Sequence, residues 1–203
     1  LVYEYFSRNS ETFDLDNTSI VFDPISGGGF SVSEVTHKGT SGNDSLVGSL
    51  DADGMVGRLG NDTVIGNGGA DVLLGGGGDD ILAISDATFH RINGGSGTDT
   101  LRLDGTLNLD LTTIDNSKTA GIEAIDITGS GNNTLTLGLQ DILDLSNTSN
   151  ILQIDGNAGD TVVVSSGSFT SEADQVINSV NYNVYSGSGA NLLVNEDVGI
   201  QWG

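Results

Sequence analysis

A nine-residue period between positions 39 and 102 restricts the fold of this chain more than any other feature. In blocks of nine the sequence reads GTSGNDSLV, GSLDADGMV, GRLGNDTVI, GNGGADVLL and GGGGDDILA. A degenerate stretch, 84–93, is one residue longer than a repeat, and a last copy, GGSGTDTLR, starts at Gly94. Position six is aspartate in each copy: Asp44, Asp53, Asp62, Asp71, Asp80 and Asp99. Position eight is apolar: Leu46, Met55, Val64, Leu73, Leu82 and Leu101. A single GND or GDD segment would be an ordinary turn. Six copies, five of them in unbroken register, mark a solenoid, because so small a unit buries its apolar side chain only against its neighbours.

The form of the repeat has physical reasons. Glycines in its first half reach backbone angles closed to other residues, and their carbonyl oxygens can crowd around an ion. The second half is a short strand whose position-eight side chain points inward. Two repeats make one coil, so every second turn stacks on the same edge. A cation between stacked turns then meets a carboxylate from each, with carbonyls completing a shell of about six to eight oxygens, as calcium prefers. One edge should pair Asp44 with Asp62, Asp62 with Asp80, and Asp80 with Asp99. The other should pair Asp53 with Asp71 and end there, because Phe89 takes position six of the degenerate stretch. The expected metal-site residues are these aspartates with their turn neighbours. On the first edge the neighbours are Gly39, Ser41 and Gly42, then Gly57 and Gly60, then Gly75, Gly77 and Gly78, then Gly94, Ser96 and Gly97. On the second they are Gly48 and then Gly66, Gly68 and Gly69, with Asp51 replacing a position-four glycine. Several Ca2+ ions are the expected cofactor.

Charge agrees with bound cations. The 203 residues carry 28 acidic and 6 basic side chains, a formal net charge of −22. Nucleic-acid binding needs Lys and Arg clusters, and an anionic membrane surface would repel this chain. No apolar run is long enough for a membrane-spanning helix, so membrane insertion is not expected. Cysteine is absent, which leaves metal as the means of cross-linking the fold. The chain opens at Leu1 without a signal-peptide pattern, and a piece of a longer protein is expected. His37 and His90 are the only histidines, and neither H-E-x-x-H nor G-x-S-x-G occurs. No catalytic residue is expected, and the chain reads as a non-enzyme.

The nonapeptides resemble the repeats-in-toxin (RTX) pattern G-G-x-G-x-D-x-U-x. Later segments, among them GIEAIDITGSGNNTLTL, DILDLSNTSNILQIDGNAGDTVVV and YNVYSGSGANLLVNEDVGI, are similar to C-terminal modules of very large RTX adhesins. The resemblance implies an all-β parallel β-roll or β-solenoid that folds on calcium after type I secretion. It also implies a secreted or bacterial cell-surface location, a role in adhesion and biofilm, and a monomer whose partners are calcium and the type I secretion machinery. The alternative is the β-roll tail of a secreted enzyme or toxin, such as a metalloprotease, lipase or cytolysin.

Four segments are expected. Residues 1–38, with six of the eleven aromatic residues, form an N-terminal cap; 39–102 are the β-roll; 103–165 continue the solenoid; 166–203 form a C-terminal cap. The stretch 190–203 is the candidate secretion signal. Ser171 and Asp174 form a candidate capping box before Val176, Ile177 and Val180, which predicts a helix there. Asp155 and Asp160 mark either a further ion site or a plain turn.

Overall fold

Each nonapeptide supplies one short strand, because its glycine-rich half turns and its apolar half extends. The computed structural model describes residues 35–146 and 149–203. Within the repeats the strands are β1 (His37–Lys38), β2 (Ser45–Val47), β3 (Gly54–Leu59), β4 (Thr63–Asn67), β5 (Val72–Gly77), β6 (Ile81–Ile84), β7 (Arg91–Ser96) and β8 (Thr100–Leu103). Odd strands pair in parallel in one sheet and even strands in a second. Ser45 faces Thr63 and Thr63 faces Ile81, each step spanning two repeats. Ile81 faces Thr100, a step longer by the extra residue of the degenerate stretch.

This register stacks like on like. Leu46, Val64, Leu82 and Leu101 form one inward column, and Met55, Leu73 and Ile92 form another. All but Leu46 are fully buried. Phe89, at the position-six place of the degenerate turn, is buried too, at 2% exposure.

Beyond β8 the coil lengthens and a third side opens. The next elements are β9 (Asn108–Asp110), β10 (Thr119–Ala120), β11 (Ala124–Asp126), β12 (Thr134–Gly138), α1 (Leu139–Leu145), β13 (Ile151–Asp155) and β14 (Thr161–Ser166). β10 joins the odd-numbered sheet beside β7, β11 and β13 extend the even-numbered sheet, and β9, β12 and β14 start a third parallel sheet. Thr100 pairs with Ala124, and Thr134 with Thr161, so each of these coils takes up more chain than two nonapeptides. In the following coil α1 comes beside β10, with Ile142 and Leu145 buried and Ile122 N–H donating to the Leu145 carbonyl at 3.0 Å. Asp141 accepts the Gly138 N–H at 2.7 Å and so caps the helix start. One hydrophobic core runs from Met55 to Val198 through both parts.

The last strands are β15 (Thr170–Ser171), β16 (Gln175–Ile177), β17 (Val180–Gly187), β18 (Ala190–Asn195) and β19 (Gly199–Trp202). β18 pairs in parallel with β13, and β17 then pairs antiparallel with β18, ending the parallel run. The helix expected over 171–180 is not formed. Val176, Ile177 and Val180 lie instead on a β16–β17 hairpin turning at Asn178 and Ser179, whose φ values are 50° and 69°. Both turn residues are left-handed, as in the type I′ turn that commonly joins two strands through two residues. Val176 is 69% exposed, so no apolar helix face had a core to bury against. Trp202 meets Tyr185 and Phe169 at ring separations of 5.0 and 5.8 Å. The expected N-terminal cap lies outside the described residues except for 35–38. No helix among the described residues is long and apolar enough to cross a membrane.

The fold is therefore the all-β parallel solenoid that the repeat implies. Leu101 sits mid-column between Leu82 and Ile125. Leu101→Ala is expected to cost about 2–5 kcal/mol in the calcium-loaded state, measured by denaturant unfolding. A loss below about 1 kcal/mol would show that this column is not the core.

Candidate metal centre

Stacked turns bring the position-six aspartates of one edge into a column. Asp44 N–H donates to Asp62 Oδ1 at 2.7 Å, Asp62 N–H to Asp80 Oδ1 at 2.8 Å, and Asp80 N–H to Asp99 Oδ1 at 2.9 Å. On the other edge Asp53 N–H donates to Asp71 Oδ1 at 2.9 Å. Above Asp71 the degenerate turn contributes no further position-six carboxylate. Asp86 reaches the Gly68–Gly69 turn instead, accepting the Gly69 N–H at 3.4 Å, while the Thr88 hydroxyl donates to the Gly69 carbonyl at 3.0 Å.

The second carboxylate oxygen separates the turns into two kinds. Oδ2 of Asp62, Asp80 and Asp99 is buried without a hydrogen-bond partner, in residues no more than 1% exposed. Oδ2 of Asp44 accepts the Thr40 N–H at 2.6 Å and its hydroxyl at 2.9 Å. Oδ2 of Asp53 is held in the same way by Ser49, at 2.7 and 2.9 Å. The difference begins at position two. Arg58, Asn67, Gly76 and Gly95 have φ of 87°, 67°, 117° and 109°, whereas Thr40 and Ser49 stay outside the left-handed region. In the Asp62, Asp80 and Asp99 turns, where position two is left-handed, no position-two N–H reaches Oδ2, which stays open.

Position-one glycines form the floor of each open turn. A Cβ on Gly57 would lie no more than 2.5 Å from both Asp62 Oδ2 and the Gly75 carbonyl oxygen; one on Gly75 would meet Asp80 Oδ2 and the Gly94 carbonyl as closely. A Cβ on Gly66 would lie 2.5 Å from Asp71 Oδ2, and one on Gly39 or Gly48 would lie 3.0 Å from Asp44 or Asp53 Oδ2. Position four stacks backbone on backbone, Gly60 on Gly42, Gly78 on Gly60, Gly97 on Gly78 and Gly69 on Asp51. Gly60, Gly69, Gly78 and Gly97 hold φ between 108° and 137°, which a side chain would strain. Ser41 and Ser96 are exposed on the outer rim, with Ser96 Oγ near Gly77.

Burial pushes the Asp71 and Asp80 carboxyls up to about 6 and that of Asp99 up to about 7, and neighbouring carboxylates add to the shift. Asp62 is raised for the same two reasons. Burial also acts upward on Asp53, but hydrogen bonds from Ser49 and Thr36 and the charge of His37 outweigh it and hold Asp53 low. The column is thus a set of buried anions with unused oxygens, and a buried charge without a partner is strongly unfavourable. Carboxylate and carbonyl oxygens around a glycine floor are the hard donors calcium takes. Among the described residues no three His, Cys, Asp or Glu side chains converge, so carbonyls must supply much of any coordination shell.

Residues 38–64 and 56–83 match the family model for the RTX calcium-binding nonapeptide repeat. This part of the chain is an RTX module, and it binds Ca2+ at several sites. No curated protein and no solved structure matches the chain.

Two features escaped the sequence reading. Position five forms its own ladder: Asn61 N–H donates to Asn43 Oδ1, Asp79 N–H to Asn61 Oδ1, and Thr98 N–H to Asp79 Oδ1, at 2.8–3.0 Å. Its signal was the run of short polar residues at that position. Glu123 extends the aspartate column by one rung, its Oε2 accepting the Asp99 N–H at 3.0 Å. Glu123 lies too far past Asp99 to fit the two-repeat period, so spacing gave no hint of it.

The raised carboxyls fix the pH dependence of the metal-free fold. Between about pH 4 and pH 7 the folded chain binds more protons than the unfolded one, because Asp71, Asp80 and Asp99 titrate above their ordinary value of 3.8. Their contribution is present in full below that value and is lost as pH rises through about 6 and 7. In chelator, far-UV circular dichroism should therefore show more residual β signal near pH 5 than near pH 8, with the difference removed or reversed by saturating calcium. Higher stability near pH 8 without calcium would contradict this electrostatic account.

Proposed function

We propose that this chain is a non-catalytic, calcium-folded module of a large RTX adhesin, exported by type I secretion and folded outside the cell, on the bacterial surface or released from it. The observation that carries this reading is the row of buried, unpartnered Oδ2 atoms on Asp62, Asp80 and Asp99. Calcium sits between Asp62 and Asp80, where the Gly75 carbonyl faces Asp62 Oδ2, and between Asp80 and Asp99, where the Gly94 carbonyl faces Asp80 Oδ2. The Asp44–Asp62 and Asp53–Asp71 pairs bind more weakly, because Thr40 and Ser49 already occupy one oxygen in each.

Without metal the column repels itself, and the glycine-rich chain has much conformational entropy to lose. At sub-micromolar cytosolic calcium the repeats remain unfolded and able to thread a channel. At millimolar calcium each site held at a hundred times its dissociation constant adds about 2.7 kcal/mol to the folded state. The 190–203 stretch, which forms β18 and β19 in the folded chain, is open to the secretion machinery before folding. The module acts as a monomer. Resemblance of the segments after 102 to adhesin modules supports the adhesin assignment over an enzyme or toxin tail.

Far-UV circular dichroism should show β signal lost in chelator and regained in millimolar calcium; a spectrum identical in both would overturn the folding switch. Asp80→Ala should lower bound calcium more than Asp53→Ala by equilibrium dialysis, since Asp80 serves two sites. Equal losses would contradict the shared carboxylate. Immunoglobulin-like repeats upstream of Leu1 in the parent protein would support the adhesin, and a zincin or lipase motif there would assign the module to an enzyme.

A further inference from the structure

Asp99 closes the last nonapeptide, and the repeat pattern assigns nothing beyond it. Its carboxylate is nevertheless the most buried of the column, at 0% exposure, with Oδ2 unpartnered. That oxygen faces the next coil. A Cβ on Gly94 would lie no more than 2.5 Å from both Asp99 Oδ2 and the Gly121 carbonyl oxygen. The same floor occurs at Gly57, between Asp62 Oδ2 and the Gly75 carbonyl, and at Gly75, between Asp80 Oδ2 and the Gly94 carbonyl. Ala120 pairs with Asn93, so Gly121 stands beside Gly94, where a position-one glycine would stand in a further repeat, though its φ of 61° is left-handed and those of the position-one glycines are not.

The carboxylate that completes the motif is Glu123. Its Oε2 accepts the Asp99 N–H at 3.0 Å, as Asp99 Oδ1 accepts the Asp80 N–H. Its backbone is stacked on both sides, with Glu123 N–H donating to the Asp99 carbonyl at 3.0 Å and Gln153 N–H donating to the Glu123 carbonyl at 2.9 Å. The turn is shorter here, since Glu123 follows Gly121 more closely than Asp99 follows Gly94. A carboxylate starting from a different point of the turn needs a different reach, and glutamate has one methylene more than aspartate.

From these contacts we infer that Glu123, Asp99 and the Gly121 carbonyl form a further calcium site, one coil beyond the last repeat. The row of ions on this edge then ends at the coil where the two-sided roll opens its third side, and calcium ties the repeats to the solenoid that follows. This rests on the reading of Asp62, Asp80 and Asp99 as calcium ligands, and the experiment separates the two.

Glu123→Gln keeps an amide oxygen able to accept the Asp99 N–H and removes only the charge. On the full chain, calcium stoichiometry by equilibrium dialysis should fall by one ion relative to wild type, with the circular dichroism of the saturated protein retained. An unchanged stoichiometry and unchanged affinities in Glu123→Gln would overturn the site and leave Glu123 outside any calcium shell. Wild type that binds no calcium would overturn the repeat sites as well. Should Glu123→Gln not fold in calcium, Glu123→Asp keeps the charge on a shorter arm. It is then expected to bind the same number of ions with one site weakened about tenfold or more, and identical affinities at all sites would overturn the inference.

Discussion

The structure depends on a column of carboxylates stacked one coil apart. Each is drawn into place by the backbone N–H of the aspartate in the preceding coil, through Oδ1, and each leaves or fills Oδ2 according to its own turn. The backbone bonds fix the register of the coils, while the charges oppose their approach. Hydrogen bonds alone do not settle this opposition, since a carboxylate that keeps one oxygen unsatisfied in the interior stays costly. Divalent cations would settle it with oxygens already present. The glycine floor follows from the same demand, because any Cβ at Gly57 or Gly75 would occupy the space between the carboxylate and the next carbonyl.

Position two separates the closed turns of Asp44 and Asp53 from the open turns of Asp62, Asp80 and Asp99. Thr40 and Ser49 close their turns with an N–H and a hydroxyl on the carboxylate, and these two turns are satisfied by protein. Arg58 and Asn67 hold left-handed φ without being glycine, a conformation unfavourable for ordinary side chains. The Arg58 turn, around Asp62, is of the open kind. Whether Oδ2 is closed by the protein in these turns thus follows a backbone choice at a residue other than the aspartate.

Much of the roll was legible in the sequence, and the reason is its period. A strict nine-residue repeat fixes strand length, coil length and the inward column together, so the Asp44–Asp62–Asp80–Asp99 and Asp53–Asp71 contacts could be named from spacing. Phe89 ended the second row for a reason visible in sequence, since an apolar ring at position six has the core to enter. Spacing stopped informing once the coil outgrew two repeats, first between Thr100 and Ala124 and then between Thr134 and Thr161. Glu123 fell outside the period, and α1 arose where a solenoid strand was expected. The helix expected over 171–180 gave way to a hairpin because Val176, Ile177 and Val180 suit either element.

The two parts of the solenoid solve one corner problem in different ways. In the third sheet Leu107 N–H donates to Asn133 Oδ1, and Asn133 N–H donates to Asp160 Oδ1, repeating the ladder of the calcium edge. Here one rung is a neutral amide whose Nδ2 also donates to the Ile127 carbonyl, and Asp160 Oδ2 takes the Asn157 N–H. Each side-chain oxygen of Asn133 and Asp160 has a protein partner, and no two carboxylates of this ladder face each other. Replacing a charged rung by an amide removes the need for metal while keeping the stacking geometry. The continuous column Leu82–Leu101–Ile125–Ile154 joins this self-satisfied part to the one with the open carboxylates. Loss of order in the repeats would therefore reach the rest through shared packing, since a core that spans both parts transmits the loss of one end to the other.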